Sequence, residues 1–523
     1  MKEIFVVIKS YFHAQKPFIS CSFLLLVGMQ HANQDYLANS SQAKRFPTHQ
    51  PPPKTVLAST EKNVLLVGLK PYLGKEIINN KNSPSLALVS NGRNLILKDS
   101  SGVIRKAQEI NIGWQVKLLT NPKIFIRQII GPLASFESAE RVANNLKEKG
   151  IKSTIAHPSD WEVWVSGDIK IPQSIKSTYQ KIKVSKSVVP YLDGNNGRIA
   201  LKGPIYLYAP DGLLWENGLY SGPFSIQLDS YGSWTLVEHV PLERYLKGVV
   251  PYEIGSKSPE AALAAQAVLA RTWAIANSHR FKVDGYNLCS DTQCQVYKDP
   301  SKANNKIKTA IKKTAGKILT WDQQPINTVY HATNGGVMAS VDEAWSTDPV
   351  PYLKMRLDGP KSWSSSVNLP LSNEKHLKSF LFSDSEAFGS SHPLFRWNRT
   401  LDSLQISKQL NKAQKVSSSF YPTKIKAIRR GKSGRVTALK LEGNSGSEIL
   451  LNLDEIRRVL RQLPSTLFVV KEIKEGKWLF SGGGFGHGAG MSQSGAIELA
   501  KNGWTTKQIL SHYYPKTKYG FLP

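Results

Sequence analysis

The sequence predicts an α+β protein: a β-rich N-terminal region with an αβ insertion, followed by a mixed α/β core. Three observations predict it. Short apolar runs punctuated by Asn, Gly and Asp recur between residues 61 and 120, the pattern of strands and turns. A stretch carrying Ala139, Val142, Ala143 and Leu146 at helical spacing then interrupts the strands. Further on, an alanine-rich segment stands between alternating strands and glycine-rich loops. With 523 residues and 41% hydrophobic content, the chain has room for several folded domains.

The elements follow in order. Residues 17–29, PFISCSFLLLVGM, form an apolar run preceded by Lys2, Lys9 and Lys16, so residues 1–32 read as a signal peptide or anchor. Gln30-His31-Ala32 lacks the small residue a cleavage site wants at −3, which keeps the uncleaved anchor open, although the run is short for a bilayer span. The Pro- and Gln-rich residues 33–60 read as a flexible linker. Residues 63–69, 85–90 and 95–98 read as strands of a β-rich region covering 61–120. In the insertion, 122–168, a strand at 123–130 precedes a helix at 137–149 closed by Gly150, and strands follow at 151–156 and 161–165. The core, 195–523, opens with alternating strands over 198–240. Ser258 is placed to N-cap a helix over 259–278, with Pro259 at its first position and Glu260 favoured by the helix dipole. Later in the core, 325–330 and 478–480 read as strands leading into glycine-bearing motifs, and a helix is predicted over 491–501, ended by Asn502-Gly503.

Charge and cysteine usage narrow the partners. Lys and Arg number 68 against 39 Asp and Glu, a formal charge of +29 that attracts polyanions. The cations are scattered, and no zinc-finger, RNA-recognition or homeodomain signature is present, so nucleic acid is not the predicted partner. Membrane contact is expected only through the N-terminal segment. The three cysteines, Cys21, Cys289 and Cys294, make no disulfide scaffold. The C-x4-C pair Cys289/Cys294, with His279 and His331 as further candidates, is a weak zinc signal. A local disulfide or free thiols are the favoured readings, and no cofactor or metal is predicted. The run 481–495, SGGGFGHGAGMSQSG, matches neither a dinucleotide fingerprint nor a Walker loop, which argues against phosphate cradling.

Glu253 stands alone in Val-Val-Pro-Tyr-Glu-Ile-Gly. A carboxyl desolvated by such neighbours holds its proton towards neutral pH, as a general acid must. The same residue also fits a structural role, bonding backbone amides. Gln266 and Arg271 are the polar residues that interrupt the alanine-rich helix, and each needs a partner there.

VPLERYLKGVVPYEI, EAALAAQAVLARTWA, CSDTQCQVY, YHATNGG and GFGHGAGMSQSGA, in this order between residues 240 and 515, resemble the signature of the SpoIID/LytB family. The resemblance implies either a lytic transglycosylase acting on peptide-free peptidoglycan strands or a non-catalytic, glycan-binding enhancer of a wall amidase. It places Glu253 at the catalytic glutamate, with Tyr252 where a small residue is common. It makes Gln266, Arg271, His331, Asn334, His487 and Gln493 substrate-binding groove residues. Some relatives place a His before the second Cys and bind zinc; here that position is Gln293. The implied partners are glycan strands and a wall amidase, and the implied location is exported, in periplasm or cell wall. Within the insertion, GPLASFESAERVANNLKEKG resembles half of a SPOR domain, a module that binds peptide-free glycan, and it fits a generic αβ insertion equally.

Overall fold

Most of the strands that the sequence pattern promised do form. The computed structural model describes residues 64–521 apart from 80, 414, 417–419 and 445. The signal or anchor segment, the linker and Cys21 lie outside the described residues. The structure is α+β, 26% helical and 37% strand.

The N-terminal strands are β1 (Val64–Leu73), β2 (Leu86–Ser90), β3 (Leu95–Lys98), β4 (Ile104–Ala107) and the long β5 (Glu109–Leu133). Helix α1 (Phe136–Glu148), β6 (Thr154–Ala156), β7 (Trp161–Ser166) and β8 (Thr178–Gly194) follow. Next come β9 (Gly197–Ala200), β10 (Ile205–Tyr208), β11 (Leu213–Trp215), β12 (Gly218–Tyr220), β13 (Phe224–Leu228) and β14 (Trp234–Pro241). Helices α2 (Leu242–Val250) and α3 (Glu260–Ala276) and the short β15 (Leu288–Cys289) then approach the site.

Two sheets organise this part. One has the order β15-β1-β14-β13-β10-β3-β4; the other runs β12-β11-β2-β5-β7-β6, with β8 on β5 and β9 on β8. Alternation explains why they share a core: Leu65 and Val67 of β1, Leu86 and Leu88 of β2, and Ile205 and Leu207 of β10 are all buried in one cluster with α2 and α3. The predicted boundary between a β-rich region at 61–120 and a core beginning at 195 is therefore not a structural one. β1 pairs antiparallel with β14 and parallel with β15, so both regions build one sheet. Local periodicity marks strands but is silent on their partners.

The insertion folds on the extension of β5. Its strand order, β8-β5-β7-β6, is antiparallel throughout, and α1 buries Phe136, Ala139 and Leu146 in a cluster with Trp161, Val163 and Val165 of β7. Ser135 N-caps α1 by accepting from the Ser138 N–H. Sequence reading found the helix and three of these strands; β8 closes the sheet as a fourth.

Helix α3 is buried on every side from Ala262 to Ala274, because alanines let neighbouring elements approach closely. It starts one residue later than predicted. Ser258 does not cap it: the Ser258 hydroxyl donates to the Ile254 carbonyl at 2.7 Å, and Pro259 takes the cap position without a side-chain bond. The expected strand at 325–330 is reduced to Gln324–Pro325 and Tyr330–His331, which belong to different sheets. Between residues 339 and 490 the chain builds further sheets with their own apolar clusters, one around Leu439, Phe468 and Trp478 and another around Trp363, Phe380 and Phe395. It then returns to the core at Met491.

Candidate active site

Glu253 sits on a single π-helical turn, Pro251–Gly255, that joins α2 to α3. Pro251 cannot supply the N–H that would continue α2 regularly. Gly255, at φ +86°, reverses the chain where a side chain would be strained. The Ser258–Ile254 bond closes the turn. The Glu253 side chain is thereby held half-buried against the core.

Its hydrogen-bond partners come from two distant segments. The Val296 backbone N–H donates to Glu253 Oε1 at 2.8 Å, and the Gln493 amide donates to the same carboxyl. Gln493 also donates to Gln266 Oε1 of α3 at 3.3 Å. Burial is the largest influence on Glu253 and raises it to about 7, against the opposing pull of the Val296 and Gln493 hydrogen bonds. Tyr245 of α2 and Tyr330 face the carboxyl, and both hydroxyls are pushed well above their usual range by burial, with the Glu253 charge adding to it. Gln295 is buried next to Val296; its Oε1 accepts from the Tyr245 hydroxyl at 3.1 Å and its Nε2 donates to the Ala270 carbonyl at 3.4 Å.

The pairing that delivers Gln493 is parallel: Tyr330 lies opposite Met491 and His331 opposite Ser492. Ser492 then N-caps the helix Gln493–Lys501 through the Gly495 N–H, leaving Gln493 at its first turn. The YHATNGG and GFGHGAGMSQSGA segments thus meet beside Glu253, although they are far apart in sequence. The Gln266 Nε2 is buried without a hydrogen-bond partner.

A sequence family described as "Stage II sporulation protein" matches residues 230–321, the span that holds the π-turn, α3 and the Val296 loop. Stage II sporulation protein D of Bacillus amyloliquefaciens is 30% identical over 305 residues, covering 53% of this chain and 74% of that protein. The chain belongs to the stage II sporulation protein D family. The Bacillus subtilis (strain 168) protein of that name is 27% identical over 299 residues, 54% of this chain and 75% of the relative. The "Amidase enhancer" of the same strain is 29% identical over 300 residues, 52% of this chain but only 40% of its own length. Residues 339–490 match a separate domain of unknown function, DUF8618.

Within this family member the remaining predicted groove residues are placed differently from Gln266 and Gln493. Arg271 is turned into the protein. Its guanidinium is buried, forks onto both oxygens of Glu243 at 2.7 Å and donates to the Lys317 carbonyl at 3.0 Å. Asn334 is likewise turned inward: fully buried, it donates to Asp358 at 2.6 Å and accepts from the Gly336 N–H at 2.8 Å. In both cases a buried polar group found its partner inside the protein, which a sequence cannot reveal.

His487 packs on Trp345 with ring centroids 4.6 Å apart, and both nitrogens are engaged, by the Tyr330 carbonyl at 2.8 Å and the Ala489 N–H at 3.2 Å. Burial lowers it to about 3, so the imidazole is neutral in this setting. His331 bonds the Ala489 carbonyl through Nδ1 at 3.1 Å, while its Nε2 is buried without a partner. Burial, with His487 and Arg435 nearby, holds it neutral as well. Cys289 and Cys294 are joined as a disulfide with Cα atoms 5.7 Å apart. The residues that sequence reasoning passed over are Val296, Gln295, Tyr245 and Tyr330. Two of them lie inside the CSDTQCQVY segment, whose cysteines drew attention to metal chemistry and away from its backbone.

Proposed function

We propose that the chain cleaves peptidoglycan glycan strands by lytic transglycosylation on peptide-free strands, with Glu253 as the acid. The observation that carries the reading is the carboxyl raised by burial to about 7 and held by a backbone N–H and Gln493, at the turn the family signature surrounds. Such a group keeps a large protonated fraction near neutrality and is fixed in direction. It donates its proton to the glycosidic oxygen between N-acetylmuramic acid and N-acetylglucosamine as the C1–O bond breaks. The muramic C6 hydroxyl then attacks C1 to close the anhydro ring, and its proton returns to the Glu253 carboxylate. The partners of Glu253 are amides, not a second carboxylate, which fits this route better than hydrolysis with its carboxylate pair.

In this reading Gln266 orients Gln493, whose amide it accepts from at 3.3 Å. The αβ module contributes strand binding in the same reading, supported by Arg127 lying 3.6 Å over the Trp164 ring on the sheet face away from α1. The N-terminal apolar run supports export to the periplasm or wall. Digesting peptide-free strands and weighing the products tests the reaction: a saccharide product lighter by one water than its hydrolysed counterpart is expected.

The relative named "Amidase enhancer" favours a second reading, in which the groove binds glycan, Glu253 only hydrogen-bonds it, and a wall amidase is stimulated. Strand binding without cleavage, together with faster turnover by an added amidase, is the outcome that selects it.

A further inference from the structure

The atom that holds Glu253 lies on a short loop fixed from two sides. On the core side, Cys289 ends β15 against Gly68 of β1, the disulfide to Cys294 closes a tight ring, and the Tyr297 N–H donates to the Ser290 carbonyl at 3.0 Å. Gln295 locks the far end to α2 and α3. On the other side stands the αβ module. The Trp161 indole N–H donates to Gln293 Oε1 at 2.9 Å, and the Gln293 amide reaches His157 Nε2 at 3.2 Å. Burial lowers His157 to about 4, keeping the ring neutral so that one of its nitrogens can accept. Arg280, ion-paired with Glu137 at the start of α1, donates to the Gln293 carbonyl at 3.4 Å. Cys289, Phe281 and Tyr286 share one apolar cluster with Phe136, Trp161 and Val163 of the module.

We propose that the αβ module, acting through Gln293, and the Cys289–Cys294 disulfide together position the Val296 N–H on Glu253. The module is then a part of the acid's setting as well as a strand-binding element. The inference rests on the reading of Glu253 as the acid. The chemistry is direct: Val296 is three residues from Gln293 and two from Cys294, so movement of either anchor withdraws the N–H from the carboxylate. An N–H donor stabilises the charged form. Its loss lets Glu253 hold its proton to higher pH, and a misplaced acid transfers that proton less well. The titratable groups that face Glu253 are Tyr245 and Tyr330, whose hydroxyls are pushed well above their usual range, so the carboxyl titrates alone at neutral pH.

The test uses the full chain with Gln293→Ala, with Trp161→Phe, and with Cys289→Ser and Cys294→Ser combined. Gln293 is exposed apart from these bonds, so its truncation leaves the fold standing. The Glu253 carboxyl is followed by 13C NMR titration, assigned by its disappearance in Glu253→Gln, alongside the pH profile of kcat on peptide-free strands. The expected result is a midpoint about one pH unit higher than wild type. The alkaline limb of kcat moves the same way, and kcat falls roughly 10-fold with KM little changed. An unchanged midpoint in all three variants, with only thermal stability lowered, overturns the proposal and leaves these contacts structural. A wild type that cleaves nothing sinks the cleavage reading instead, and the NMR midpoint still decides the positioning.

Discussion

Glu253→Gln removes the transferable proton while keeping the side chain's size and its ability to accept from Val296. Turnover on peptide-free strands is expected to drop about 100-fold to 10,000-fold, with strand affinity within a few-fold of wild type. Titration calorimetry beside product analysis checks both. The same residue sets two pH dependences. Cleavage needs the protonated acid, so the rate is expected to fall as pH rises through about 7, the value to which burial raises Glu253. Stability runs in the same direction. The fold favours the protonated form, so this contribution is fully present below the ordinary carboxylate range and is lost as pH rises through about 7. Glu253→Gln, neutral throughout, is therefore expected to gain about 1–3 °C in Tm on wild type between pH 5 and pH 8. A constant difference between the two melting curves over that range contradicts the assignment.

The π-turn and α3 act as one element, because both are bolted to the core by buried polar groups. Arg271 is the chief bolt, forked onto Glu243, whose side chain is 42% exposed, so the pair is only partly shielded from water. Arg271→Ala is expected to cost about 2–3 kcal/mol of stability, below the roughly 3–5 kcal/mol for breaking a fully buried pair because Glu243 is partly solvated. Arg271→Lys should recover only part of it, since an ammonium cannot make the two parallel bonds. Denaturant titration reads both; a large loss of strand affinity at unchanged stability would restore Arg271 to the groove. The alanine-rich pattern made this helix and its burial legible. It left open whether the polar residues it carries face Glu243 or a sugar, because sequence shows that a buried guanidinium needs a partner and not which one. The same ambiguity moved Asn334 from the groove to Asp358 and allowed Ser258 to bond Ile254 in place of capping α3.

Taken as one molecule, residues 64–107 are indispensable to the part that carries the site. β1 lies between β14 and β15, and β3 pairs β10. A chain of residues 198–523 is therefore expected to lose the cooperative melting of the full chain and to be cut rapidly by protease. Circular dichroism melts with limited proteolysis distinguish the two; a stable, active 198–523 fragment would show that the shared sheet is dispensable.

The sequence by itself determined many of the elements and the family. Alternation marked β2, β3 and β7, the 3.6-residue spacing marked α1 and α3, and the ordered motifs around Glu253, Cys289 and His487 pointed to stage II sporulation protein D. These are local signals, written within a few residues of each other. Only the tertiary structure decided that Gln493 reaches Glu253, that Val296 supplies its N–H, that Arg271 turns to Glu243, and that the αβ module rests on the Cys289–Cys294 loop. Sheet order and buried hydrogen bonds between distant segments are settled by which surfaces exclude water together, and periodicity along the chain carries no record of that choice.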